Sequence, residues 1–180
     1  MSLAGLLEAR RRAILDDWMR VIAKGYPAPL ADSLKKSSDR FANPIAGTLA
    51  EATASVFDGI RAGADRAELA IHLDTAIRLR AIQEFSPSEA VAFVFNLKGA
   101  VRRQLAKEIR KGGVSAEELV EFEGRIDEAG LVAFDAYMGC REQLMRLRLD
   151  EVRKGPFRAV RGATSPSTAE GNPSTAEGDP

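Results

Sequence analysis

Arg80 and His72 are the two side chains whose chemistry stands out from their surroundings. Both fall in a stretch of helical periodicity in which Leu69, Leu73, Ala76 and Ile77 form an apolar face. At about 100° per residue, Arg80 lies near the middle of that face and His72 towards its edge, beside Leu79. A guanidinium on a core face must pair with a carboxylate, reach outward to water, or bind an anion. Asp16, Asp17 and Glu84 are the candidate pairing partners. A lone imidazole at such an edge is most often a core residue with one hydrogen bond. Its other use is as the axial ligand of a haem iron in a gas or redox sensor.

Further along, Ala90, Val91, Ala92, Phe93, Val94, Phe95 and Leu97 make a helix that is apolar around much of its first half. Such a helix is central to a bundle or supplies an interface, and its phenylalanines either fill core or line a pocket. Its second half is basic, with Lys98, Arg102 and Arg103 followed by Lys107, Arg110 and Lys111. Cations there complement the negative end of the helix dipole. Alternatively, Lys98, Arg102 and Arg103 dock an acidic protein partner, as in a structural assembly factor.

Other chemistries lack their residues. The single Cys excludes an intrachain disulfide, and one Cys with one His cannot make a Cys/His zinc site. No Gly-rich phosphate loop, acidic metal loop or HExxH spacing occurs, and no Ser or Cys nucleophile is visibly arranged with the sole His. The chain therefore reads as non-enzymatic, without a metal or resident cofactor. The 180 residues carry 26 Lys+Arg against 26 Asp+Glu, and this zero net charge argues against a general nucleic-acid binder. No apolar run approaches the roughly 20 residues needed to span a bilayer. The N-terminal apolar stretch precedes its basic cluster, the reverse of a secretory signal. A cytoplasmic protein is expected.

The elements that must position these residues are all helices. No segment shows a clean period of two, and helical spacing fits nearly everywhere. A first helix runs from about Leu3 to Lys24, with Leu7, Ile14, Trp18 and Val21 on one face, and Gly25, Pro27 and Pro29 stop it. A short helix is expected around Leu30–Lys36. Asn43-Pro44 starts the next, which ends near Gly63. Asp65 caps a third helix through about Gln83. Ser86 and Glu89 form a capping box with Pro87 at the first position, opening a helix to Lys111 that Gly112-Gly113 closes. Ser115 and Glu118 open the last helix.

That last helix need not stop before Lys154, where Gly155-Pro156 ends it. At about 40 residues it would span roughly 60 Å, more than a compact domain of this size can use. Leu119, Phe122, Ile126, Ala129, Ala133, Ala136, Cys140 and Leu147 follow 3–4 spacing, while Leu131, Phe134, Met138 and Met145 add apolar surface off that stripe. Such a helix is expected to pair with a second copy of itself, and Ala136, Cys140, Leu144 and Leu147 are the candidate dimer contacts. Residues 1–154 then form one helical domain. Residues 155–180, with the near-repeat Pro166–Asn172 and Pro173–Asp179, form a tail that lacks the apolar side chains needed for order.

The run RLRAIQEFSPSEAVAFVFNLK, from Arg78 to Lys98, resembles the centre of the RsbRD-type N-terminal domain. That family comprises sensor-like modules of RsbT co-antagonist proteins of the bacterial stressosome, and related modules ahead of histidine kinases. Trp18 and the Asn43-Pro44 helix start match it in position, and the likeness covers about Leu3 to Leu149. The resemblance implies an all-α, globin-like bundle of five or six helices with a long C-terminal helix. It further implies that the domain does not bind haem, that it dimerises, and that it passes a signal through its last helix. No catalytic residues carry over. Arg80, His72, Gln83, Phe85 and Phe93 become the candidates for sensing a signal or small-molecule ligand. The chain departs from the usual architecture because its last helix leads into a tail, with no room for a phosphorylatable output domain or kinase.

Overall fold

Three of the helix starts marked in the sequence carry their caps in the structure, a computed structural model describing residues 2–26, 31–32 and 44–162, with side chains to residue 152. Asp65 Oδ1 accepts from the Ala67 and Glu68 N–H groups while Glu68 accepts from the Asp65 N–H. Ser86 with Glu89 and Ser115 with Glu118 make the same reciprocal pairs. Each box satisfies donors that a helix start otherwise leaves open. Glu118 does a second job, accepting the Leu3 N–H at 3.2 Å and so tying the chain's first helix to the start of its last.

Among the described residues the elements are α1 (Leu3–Ala9), α2 (Arg11–Ala23), α3 (Pro44–Ala62), α4 (Arg66–Ile82), α5 (Pro87–Gln104), α6 (Ala106–Arg110) and α7 (Ala116–Gly162), with no strand. The fold is all-α. Two expected helices are each divided by one residue, Arg10 (φ −105°, ψ 6°) and Leu105 (φ −103°, ψ 10°). Hydrogen bonds of helical spacing still cross both points, from Arg10 to Leu6 and from Leu105 to Val101. They are bends within a helix rather than chain breaks, and neither carries the Pro or Gly that marks a break in sequence. Of the expected helix at Leu30–Lys36, residues 31–32 are helical, and the rest lies outside the described residues, as does Asn43. The last helix continues past the Gly155-Pro156 pair expected to end it, to Gly162. Proline removes one intrahelical bond, and the bonds on either side can carry a helix through that loss.

The chain divides into two compact units, residues 1–142 and 143–180. In the first, α2 lies against α5 and α3 against α4. Trp18, Phe57, Leu73, Ile77, Phe93, Leu97 and Tyr137 are buried between them. Asp17, itself buried, receives Arg103 of α5 at 2.7 Å and Arg20 at 3.0 Å.

α3 and α4 end alike. After α3, Gly63 sits at φ 74°, its N–H reaching the Ile60 carbonyl while the Ala64 N–H reaches Gly59. This paired closure requires a left-handed residue, natural for glycine and costly for others. Gly63→Ala is expected to destabilise the domain by about 1 kcal/mol, read as a lower urea midpoint at unchanged slope. After α4 the same closure uses Glu84 at φ 61°. Its N–H donates to Ala81 and the Phe85 N–H donates to the Arg80 carbonyl at 3.3 Å. The turn thereby locks Phe85 beside Arg80.

Candidate functional site

Arg80 lies in the last turn of α4, 3% exposed. Its guanidinium carbon stands 4.7 Å from the Phe93 ring centroid, 4.9 Å from Phe85 and 5.4 Å from Tyr26. Nη1 donates to the Glu89 carbonyl at 3.1 Å, and Nε has no partner. The carboxylate pairing with Asp16, Asp17 or Glu84 considered from sequence is replaced by an aromatic cage: among the described residues no ion pair reaches Arg80. Asp17 is instead held by Arg103 and Arg20. Burial pulls the Arg80 pKa below its ordinary value, and burial raises the Tyr26 phenol, an effect that the Arg80 charge opposes.

The cage is itself supported. Phe93 stacks on Trp18, with centroids 6.1 Å apart and planes within 15°, and Trp18 Nε1 donates to the Phe93 carbonyl at 2.6 Å. Phe85 meets Tyr26 edge-on at 5.3 Å. The Phe85 carbonyl accepts the hydroxyl of Tyr137, a buried residue of α7. One connected set of contacts thus runs from α2 through the Arg80 cage to the last helix. Beside Arg80 is a cavity of about 180 Å³, walled by Phe93, by Val21 and Ile22 of α2, and by Ala92 and Asn96 of α5.

The sequence candidates distribute unevenly around this site. Arg80, Phe85 and Phe93 come together. Gln83 follows α4, and its buried Oε1 lacks a hydrogen-bond partner, as does the Tyr26 hydroxyl. His72 does not line the cavity. Its Nδ1 lies 2.6 Å from Ser55 Oγ, and its ring occupies space that a Cβ on Gly59 would need. That is a half-buried imidazole with one hydrogen bond, joined to a serine whose approach the sequence does not show. Among the described residues, no cluster of His, Cys, Asp and Glu could hold a metal ion.

Lys98, Arg102 and Arg103 are engaged within the chain. Lys98 meets Asp127 at 2.6 Å, Arg102 grips Glu123 with two nitrogens, and Arg103 holds Asp17. Ala136, Cys140 and Leu144 are half-buried and Leu147 is exposed. Leu131, Phe134 and Met138 form an exposed strip on α7, and Phe95 of α5 packs over Gly130 next to it. Sequence reasoning missed Tyr26 and Tyr137. Tyr26 follows the glycine that ends the first helix, and Tyr137 sits between small residues of a stripe read for its alanines. Neither position advertises a distant contact.

Residues 12–152 match the family described as the RsbT co-antagonist protein rsbRD N-terminal domain. The chain belongs to this family. The match runs from α2 through the cage and into α7, and the family suggests a regulatory module. An uncharacterized protein of Archaeoglobus fulgidus is 24% identical over 143 residues, spanning 78% of this chain and 83% of its own. No solved structure matches. No helix among the described residues is long and apolar enough to cross a membrane.

Proposed function

We propose that this RsbRD-type module is a non-enzymatic, cytoplasmic, dimeric sensor that relays a change at the Arg80 cage to a protein partner through α7. The observation that carries the reading is the hydrogen bond from the Tyr137 hydroxyl to the Phe85 carbonyl. Phe85 covers Arg80 with its ring and holds α7 with its backbone, so repacking of the cage bears directly on the last helix. Interface helices move by an ångström or two in such transitions. Two copies associate along α7 through Ala136, Cys140, Leu144 and Leu147, and the exposed Leu131, Phe134 and Met138 favour an apolar contact on the same helix.

Tyr137→Phe keeps the ring and removes the bond. It should cost about 1 kcal/mol of stability, speed amide exchange over residues 80–86 and along α7, and shift the dimer dissociation constant several-fold in sedimentation. Unchanged exchange along α7 would sink the relay. A wild-type monomer at high concentration would sink the dimer.

A further inference from the structure

The cavity beside Arg80 has the makings of a specific ligand site. A cation with almost no exposure is compensated there by three ring faces and one carbonyl, and its Nε is left without a partner. Buried guanidinium groups are ordinarily matched by a carboxylate or phosphate, whose planar or tetrahedral oxygens fit the nitrogen fork. Here the protein supplies neither from the described residues. The remaining walls are mostly apolar, from Val21, Ile22, Ala92 and Phe93. Ala92 and Asn96 are exposed, so the site opens to solvent along α5.

We propose that this cavity binds a small monocarboxylic acid, its carboxylate on Arg80 and its apolar body against Phe93, Val21 and Ile22. The proposal gives a chemical class to the signal in the regulatory reading above and rests on that reading only for its effect at α7. Size supports it: an apolar cavity of about 150 Å³ suffices for benzene, and this one measures about 180 Å³. Charge selects a monoanion. Glu89 borders the cavity, and its carboxylate is held by the Ser86 N–H at 3.0 Å and the Ser86 hydroxyl at 2.6 Å. A carboxylate on this solvent-exposed rim residue adds negative potential that disfavours a second ligand charge, as on phosphate, more than a single one.

The test is a titration of the full chain followed by amide chemical shifts, using benzoate, butyrate, the neutral isostere benzamide, and inorganic phosphate. Benzoate and butyrate should saturate, shifting residues around Arg80, Phe85 and Phe93, with benzamide at least about tenfold weaker for want of the charge-assisted bonds. Arg80→Met should erase the preference for benzoate over benzamide. Ala92→Trp, at an exposed position, should block binding while leaving the fold intact, so the proposal stays open to refutation even if the Arg80 variant misfolds. Equal binding of benzamide and benzoate, stronger binding of phosphate, benzoate binding undiminished in Ala92→Trp, or no saturation at all would each overturn it. Saturation without any shift in α7 would support the site and count against the relay through Tyr137.

Discussion

Replacing Trp18 with alanine should lower the stability of the domain by about 4 kcal/mol, within the range for truncating a fully buried aromatic. Trp18 has 0% exposure and stacks on Phe93, and its indole N–H donates to the Phe93 carbonyl. Alanine removes the ring, leaves a cavity between α2 and α5, and withdraws support from the phenylalanine that covers Arg80. Trp18→Phe separates the contributions. It keeps an aromatic face and loses the hydrogen bond, and about half the cost should remain. Circular dichroism at 222 nm in a urea titration measures both. A Trp18→Ala loss below about 1 kcal/mol would mean that the site collapses around the gap, contrary to the close packing described.

Replacing Arg80 with methionine should do the reverse and stabilise the domain by about 1–2 kcal/mol. Two effects compete. Cation–π contacts at desolvated sites contribute up to about 2 kcal/mol each, whereas an unpaired buried charge costs several kcal/mol and an orphaned donor adds about 1–3. Methionine approximates the length of the side chain, places a sulfur among three rings and recovers part of the aromatic contact. The desolvation cost and the orphaned Nε disappear with the charge. Arg80→Ala should instead destabilise, because it empties the cage. A thermal melt of the two variants beside wild type decides the matter, and a fall in melting temperature for Arg80→Met would show the cation to be net stabilising. A residue that weakens the fold where it sits is the kind retained for a function.

Much of the scaffold was legible because its signals are local. Asp65 announces a helix as its cap, and Ser86 and Ser115 do so with a glutamate three residues on; both serine boxes form, and Glu68 completes one at Asp65 as well. The 3.6-residue period put Arg80 on the buried face of α4, and it is buried. Phe85 and Phe93 entered as candidates beside it, but that their rings and Tyr26 would replace a carboxylate was not legible, since pairing arguments look for carboxylates and the cage draws on three separate segments. The bends at Arg10 and Leu105 had no marker residue. The partners of the basic half of α5 were hidden for a different reason. Lys98 and Arg102 stand one helical turn apart, as do Glu123 and Asp127, and the structure matches them in antiparallel order. That equal spacing was visible, but it becomes a prediction only once two helices are known to be neighbours. Such exposed pairs contribute little energy and chiefly set how the helices align.

The stack of Trp18 on Phe93 has a practical consequence. Trp18 is the only tryptophan, and its ring is one contact away from the guanidinium beside the cavity. Its emission is therefore an intrinsic, label-free reporter of what happens at Arg80. The lone thiol, Cys140, lies on α7 three residues beyond Tyr137. Because Cys140 is also a proposed dimer contact, the rate at which a thiol reagent labels it reads protection of that contact, while the indole reads the cage, with no engineered residue in the chain.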